Sequence, residues 1–232
     1  MAKTALAVAV CIILACSNGT ETEMEGGEGL DGVIYIASDG SANRKLVEFA
    51  DTVLSGGEDG FVYRETGIDF DWDMTVIYRN SDWQARRFKL TSETISADLS
   101  WDGDRVTGST IDEDGAEHHI DRTVDSRSIH AWFAQSAFMG LAMDEEGDYL
   151  EFDMIVPSLD VYGYRADYSG TEGVATEERW FNCHRLDVDG RGAIGLFAAD
   201  MVIYYRVEEP SIAIKCWVEG EGSFFEYVAD TL

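Results

Sequence analysis

The chain has 232 residues, 45% hydrophobic and 12% aromatic, ample material for a packed core, and this excludes global disorder. Its formal charge is -28, from 17 basic and 45 acidic residues. So negative a surface speaks against nucleic acid, which needs a basic footprint, and against lying flat on anionic lipid. Lysine is confined to Lys3, Lys45, Lys89 and Lys215. That balance fits a protein exposed to high salt, and equally a secreted protein that is simply acidic and soluble. No internal repeat occurs, and the length allows one large domain or two small ones.

Residues 1–15, MAKTALAVAVCIILA, hold one lysine and then an apolar run from Ala5 to Ala15. The run has the length of a signal-peptide core and is too short to span a bilayer. It ends Ile13-Leu14-Ala15-Cys16. This resembles the lipobox of bacterial lipoproteins, which implies cleavage before Cys16 and acylation of its thiol. Ala15 fits the motif well, whereas Leu14 is less usual at its position. Cys11 fits worse, because Val10 precedes it. Buried acyl chains contribute about 0.8 kcal/mol per CH₂, so two or three hold a protein firmly. Ser17, where an aspartate would imply retention, implies outer-membrane sorting by the same resemblance. The expected location is the cell envelope, lipid-anchored, on the periplasmic or surface face of the outer membrane. An ordinary secretory signal and an uncleaved anchor remain the alternatives. Residues 16–31 are acidic and glycine-rich after the cysteine and read as a flexible tether. That leaves 32–232 as a single domain.

Gly32–Ile36 reads as a first strand. Residues 44–54 fit either a helical face or a strand, with strand favoured by the neighbours. Phe61–Arg64 opens the next strand. In GIDFDWDMTVIYRN, Asp69, Asp71 and Asp73 alternate with Phe70 and Trp72, so a strand puts the three carboxylates on one face. They suit a hard cation, but the glycine and distal glutamate of a calcium loop are missing, and a solvated face is the plainer reading. From Arg86 to Thr123 the pattern is a meander. Ile95, Ala97, Leu99 and Trp101 alternate with polar residues, and Asp102-Gly103 and Asp114-Gly115 are hairpin turns. His118 and His119 are adjacent in a strand and point to opposite faces, so they do not share a metal. No metal or cofactor is expected.

Asp125–Met143, DSRSIHAWFAQSAFMGLAM, predicts one long buried helix near 126–142, since only His130, Gln135 and Ser136 interrupt its apolar surface after Ser128. Asp125 or Ser126 is the expected N-cap. Strands resume with Leu150, Phe152, Met154 and Val156 on one face. Tyr162, Tyr164, Ala166 and Tyr168 form a tyrosine-rich face. Ser169–Gly173 reads as a turn, and further strands fall near 174–188, 193–198, 201–207, 211–219 and 223–229. Cys183 and Cys216 lie on two of these. They can pair only if those strands are neighbours; otherwise they are buried thiols.

The order of parts from about residue 120 to the end resembles an uncharacterised family of exported bacterial β-domains. The features are the turn Gly170-Thr171-Glu172-Gly173-Val174, the Cys-bearing strand Trp180–Val188, the strand Ile203–Pro210 ending at proline, and the Lys-bearing strand Ile212–Val218. The family is a domain of unknown function. Its fold is similar to the half-open barrel of lipoprotein-localisation carriers, and it supplies no catalytic residues. The resemblance implies a mainly β chain: a strongly curved antiparallel sheet, an open or half β-barrel, with one helix in its concavity. That agrees with the reading of the residues.

Two functions are expected. In the first, an apolar or lipid-like ligand lies between sheet and helix, lined by Trp132, Phe133, Phe138, Met139, Leu150, Phe152 and Met154; ordinary core packing is the plainer account of all seven. In the second, the chain is a structural or adaptor lipoprotein that binds another envelope protein. A pocket between helix and sheet favours the first and a filled core the second. No nucleophile elbow, phosphate loop, dinucleotide fingerprint or zinc motif occurs, so no enzyme is expected.

Overall fold

The computed structural model describes residues 31–37, 44–68, 70–124, 127–141, 143, 145–176, 179–192, 200–208, 211–218 and 222–230. The leader, Cys16, the tether up to Leu30, Asp69, the expected N-cap at Asp125 and Ser126, and the strand expected at 193–198 lie outside them; Asp31, the last tether residue, already belongs to a strand.

The described residues form one sheet of fifteen strands. Its first half comprises β1 (Asp31–Ala37), β2 (Arg44–Val53), β3 (Asp59–Gly67), β4 (Trp72–Arg79), β5 (Gln84–Ser92), β6 (Ser96–Asp102), β7 (Arg105–Ile111) and β8 (Glu117–Thr123). After β9 (Arg127–His130) come a single 3₁₀ turn, Ala131–Phe133, and a one-turn helix, α1 (Ala134–Ala137). The second half comprises β10 (Tyr149–Ile155), β11 (Val161–Ala175), β12 (Trp180–Gly190), β13 (Met201–Arg206), β14 (Ala213–Val218) and β15 (Gly222–Asp230). The order across the sheet runs from β8 down to β1, then β15 down to β9. Every pairing is antiparallel except β9 with β10.

The strands form because their sequences alternate. In β6, Ala97, Leu99 and Trp101 are buried while Asp98 is exposed. In β10, Phe152 and Met154 go inward and Glu151 outward. Asp102-Gly103 and Asp114-Gly115 make the turns expected of them, each with its glycine at positive φ. Residues 44–53 are a strand with Val47 and Phe49 inward.

The sheet curls strongly. Flat, fifteen strands would span about 65 Å. Yet Thr123 at the end of β8 and Arg127 at the start of β9, on opposite edges, are four residues apart, a reach of at most about 14 Å. Contacts across the interior agree. Trp101 Nε1 of β6 donates to Ser128 Oγ of β9 at 2.6 Å, and Thr110 Oγ1 of β7 donates to Pro157 O after β10 at 2.8 Å. Arg127 donates to the carbonyls of Trp83, at 2.9 Å, and of Asp82. The result is a half barrel whose concave face carries one large apolar core. Leu54, Val62 and Ile77 form a small separate cluster.

Two expectations are corrected and one open alternative is decided. The long helix is replaced by strand β9, a 3₁₀ turn and the four residues of α1. Parallel strands need a crossover, and this segment supplies it, passing over the concave face from β9 to β10. The turn expected at Ser169–Gly173 is a bulge within β11, where the register on β12 slips between Tyr168 and Thr171 and Gly170 takes φ +99°. Cys183 and Cys216 do not pair: both are free and buried, and β13 separates their strands.

Candidate site between the half barrel and its plug

The crossover, residues 131–141, acts as a plug. His130 begins it: its backbone is extended, and its imidazole Nδ1 accepts from Trp132 N at 3.3 Å, capping the 3₁₀ turn. Ser136 Oγ donates to Phe133 O at 3.0 Å, which tightens the step from the 3₁₀ turn into α1.

The wall grips the plug at two residues. Gln135 Nε2 donates to Glu65 of β3, while Tyr205 OH of β13 donates to Gln135 O at 2.8 Å. Tyr78 OH of β4 meets Ser136 Oγ at 2.6 Å, and Trp83 Nε1 donates to Ser136 O at 3.2 Å. Burial pushes the Tyr78 phenol well above its ordinary range, so it stays a neutral donor. Just beyond α1, Gly140 lies against the Trp83 indole so closely that a Cβ would come within 2.1 Å of the ring. Only glycine fits there.

Glu65 is the one buried acid among the described residues, at 2% exposure. Its carboxylate is served by Lys45 Nζ at 2.9 Å and Tyr63 OH at 2.9 Å as well as by Gln135. Lys45 also sits 4.0 Å over the Trp72 ring. A carboxylate taken out of water is tolerable only with such a set of donors.

All seven side chains expected to line a ligand site belong to the one core. Phe133 is fully buried, edge-on to Phe88 at 5.1 Å and to Tyr78 and Trp101 at 6.1 Å. Phe138 packs edge-on to Phe152 at 5.5 Å and to Tyr205 at 6.4 Å. Phe152 stacks on Tyr164, and Met154 is buried beside it in the sheet. Trp132, Met139 and Leu150 are half-buried against the same cluster. They converge between sheet and plug and pack against one cluster.

His130 is fully buried among Phe88, Trp132 and Phe133, with ring centroids at 5.1, 4.7 and 6.2 Å. Burial pushes its pKa down to about 3. With Nδ1 accepting, Nε2 carries the proton, and that N–H has no hydrogen-bond partner among the described residues.

The other groups singled out in the sequence go elsewhere. Asp73 is held by Arg64 at 2.5 Å, and Asp71 is exposed ahead of β4. His118 pairs with Asp112 at 2.8 Å, and His119 is exposed beside Glu117. Burial pushes the thiols of Cys183 and Cys216 up to about 12, so neither is an activated nucleophile. Among the described residues no three side chains are grouped to hold a metal ion, and no helix is long and apolar enough to cross a membrane.

No family model matches the sequence, and no curated protein does. Among solved structures, the crystal structure of a β-barrel-like protein of domain of unknown function DUF1849 from Brucella abortus is similar, with a TM-score of 0.48 and 10% identity. The match covers 88% of this chain and 98% of that one. Nothing about activity follows from it.

Sequence reasoning missed the grip: Glu65, Tyr78, Trp83 and Tyr205. One signal was available. In β3, Phe61, Tyr63 and Glu65 share the inward face, and an acid in an inward series needs buried partners.

Proposed function

We propose that the chain is a lipid-anchored protein of a bacterial cell envelope, acting as a structural or adaptor module that docks another envelope protein on its outer surface. One observation carries this reading: the concavity is occupied by the chain's own plug, with Phe133 and Phe152 fully buried in mutual aromatic packing. That leaves the outside for partners. The role is binding rather than catalysis, with no cofactor. The anchor is the acylated Cys16, and the favoured location is the outer membrane. Feeding cells an alkyne-tagged fatty acid tests the anchor. The chain should take up label, and Cys16→Ser should lose both the label and the membrane fraction. Label retained by the variant would end the lipoprotein reading.

A second reading is favoured by the unpartnered Nε2–H of His130. An apolar ligand with a carbonyl or carboxylate would enter past half-buried Trp132 and accept from that N–H. Native mass spectrometry of residues 18–232, exported without the anchor, separates the two. Added mass that dissociates as a lipid, and that falls on His130→Phe, supports a carrier. A bare protein mass with no uptake of added fatty acid or phospholipid supports the adaptor.

A further inference from the structure

The two edges of the sheet are not alike. β9 is short and tucked inside against β5 and β6. β8 is open. At its two ends, Asp112 N donates to Ala116 O at 3.0 Å and Val124 N donates to Asp104 O at 2.9 Å. The register between them is unbroken, with Thr110 opposite His118, Gly108 opposite Ile120 and Val106 opposite Arg122. Hydrogen-bonded pairs recur every second residue in an antiparallel ladder. The even-numbered residues of β8 therefore turn their backbone groups to β7. Glu117, His119, Asp121 and Thr123 turn theirs away from the sheet. These residues are exposed, and the side chains of His119 and Asp121 are 71% and 63% accessible.

Edges left open by a fold are normally guarded by charge. This one is selective instead. Along β8 the acids are Glu117 and Asp121, Arg122 is the one arginine, and Arg105 of β7 holds Asp121 at 2.7 Å. The seam is thus close to neutral in a chain of formal charge -28. Two copies meeting antiparallel can use only registers that set odd residues against odd residues. Centred on Ile120, the pairing puts His119 opposite Asp121 twice, Glu117 opposite Thr123 twice, and every outward backbone group opposite a partner. Slipped one way, it sets Glu117 against Asp121. Slipped the other way, it sets Asp121 against Asp121. Like charges directly opposite are destabilising, so only the centred register is complementary.

We propose that two copies of this chain join along β8 in that register, related by a two-fold axis through Ile120, to make one continuous sheet. The interface is isologous, so it closes at two and does not propagate. It stands whether or not an outside protein docks elsewhere.

The test uses the full chain, extracted with its anchor in non-ionic detergent. Light scattering should give two protein copies per particle. A mixture of His119→Cys and Asp121→Cys chains should cross-link on mild oxidation, while neither variant cross-links alone. Cys183 and Cys216 are buried and do not interfere. His119→Pro removes an outward N–H that β7 does not use and should yield single copies with an unchanged circular dichroism spectrum. Should that variant fail to fold, Asp121→Arg should weaken association about tenfold, and adding His119→Asp should restore it. Single copies of the unchanged chain would overturn the proposal. So would cross-linking of Asp121→Cys to itself, or no rescue by the double change.

Discussion

Glu65 and His130 are the two buried ionisable groups whose treatment differs most. Glu65 is surrounded by donors, Lys45, Tyr63 and Gln135. Gln135→Ala removes one of several donors and should cost about 1 kcal/mol, whereas Glu65→Ala leaves three groups without their acceptor and should cost about 3 kcal/mol. Urea unfolding of both variants checks the order, and equal costs would mean the plug is not gripped here. His130 instead gives up its charge. Its folded pKa, about 3, lies below the ordinary 6.5, so the unfolded chain takes a proton first as pH falls. Its contribution is complete above pH 6.5 and is lost toward pH 3, at about 1.4 kcal/mol per pH unit within that window. His130→Asn, which keeps a capping side chain, should show a shallower loss of stability on acidification.

At the scale of elements, bulges and the crossover decide where the chain goes. Gly170 sits at φ +99° with nothing within 4 Å of its missing Cβ. Gly170→Ala should therefore lose about 1–2 kcal/mol through the backbone alone, read as a lower thermal midpoint. Much of the sheet was legible in the sequence: alternation marked β6 and β10, and Asp-Gly pairs marked two hairpins. The helix was misread for a physical reason. Apolar residues all round signal burial, and burial on every side is also what strand β9 meets, between β10 and the inner face of β5 and β6. Ser169–Gly173 was misread because a glycine-bearing bulge and a turn share composition. That the seven apolar side chains named in the sequence pack into one core was legible, since apolar residues reveal themselves. The polar grip was not, because nothing in the spacing of Glu65, Tyr78 and Tyr205 announces that they meet at Gln135 and Ser136.

For the whole molecule, charge and curvature oppose each other. The chain's formal charge is -28, most of it on one closely curled sheet that therefore repels itself, and the ion pairs that offset it are mostly half-exposed. Added salt screens the longer-range repulsion more than the short contacts, so the thermal midpoint should rise from low to high ionic strength. A falling midpoint would mean the pairs matter more than the net charge. The sheet's central seam, β1 against β15, has a consequence in time. A ribosome delivers β1 first and β15 last. Until then the first eight strands expose β1 as a raw edge, and β10–β14 have nothing to continue onto. A chain stalled before Gly222 would thus hold two unjoined sheets with sticky margins, the state a chaperone or a protease would meet.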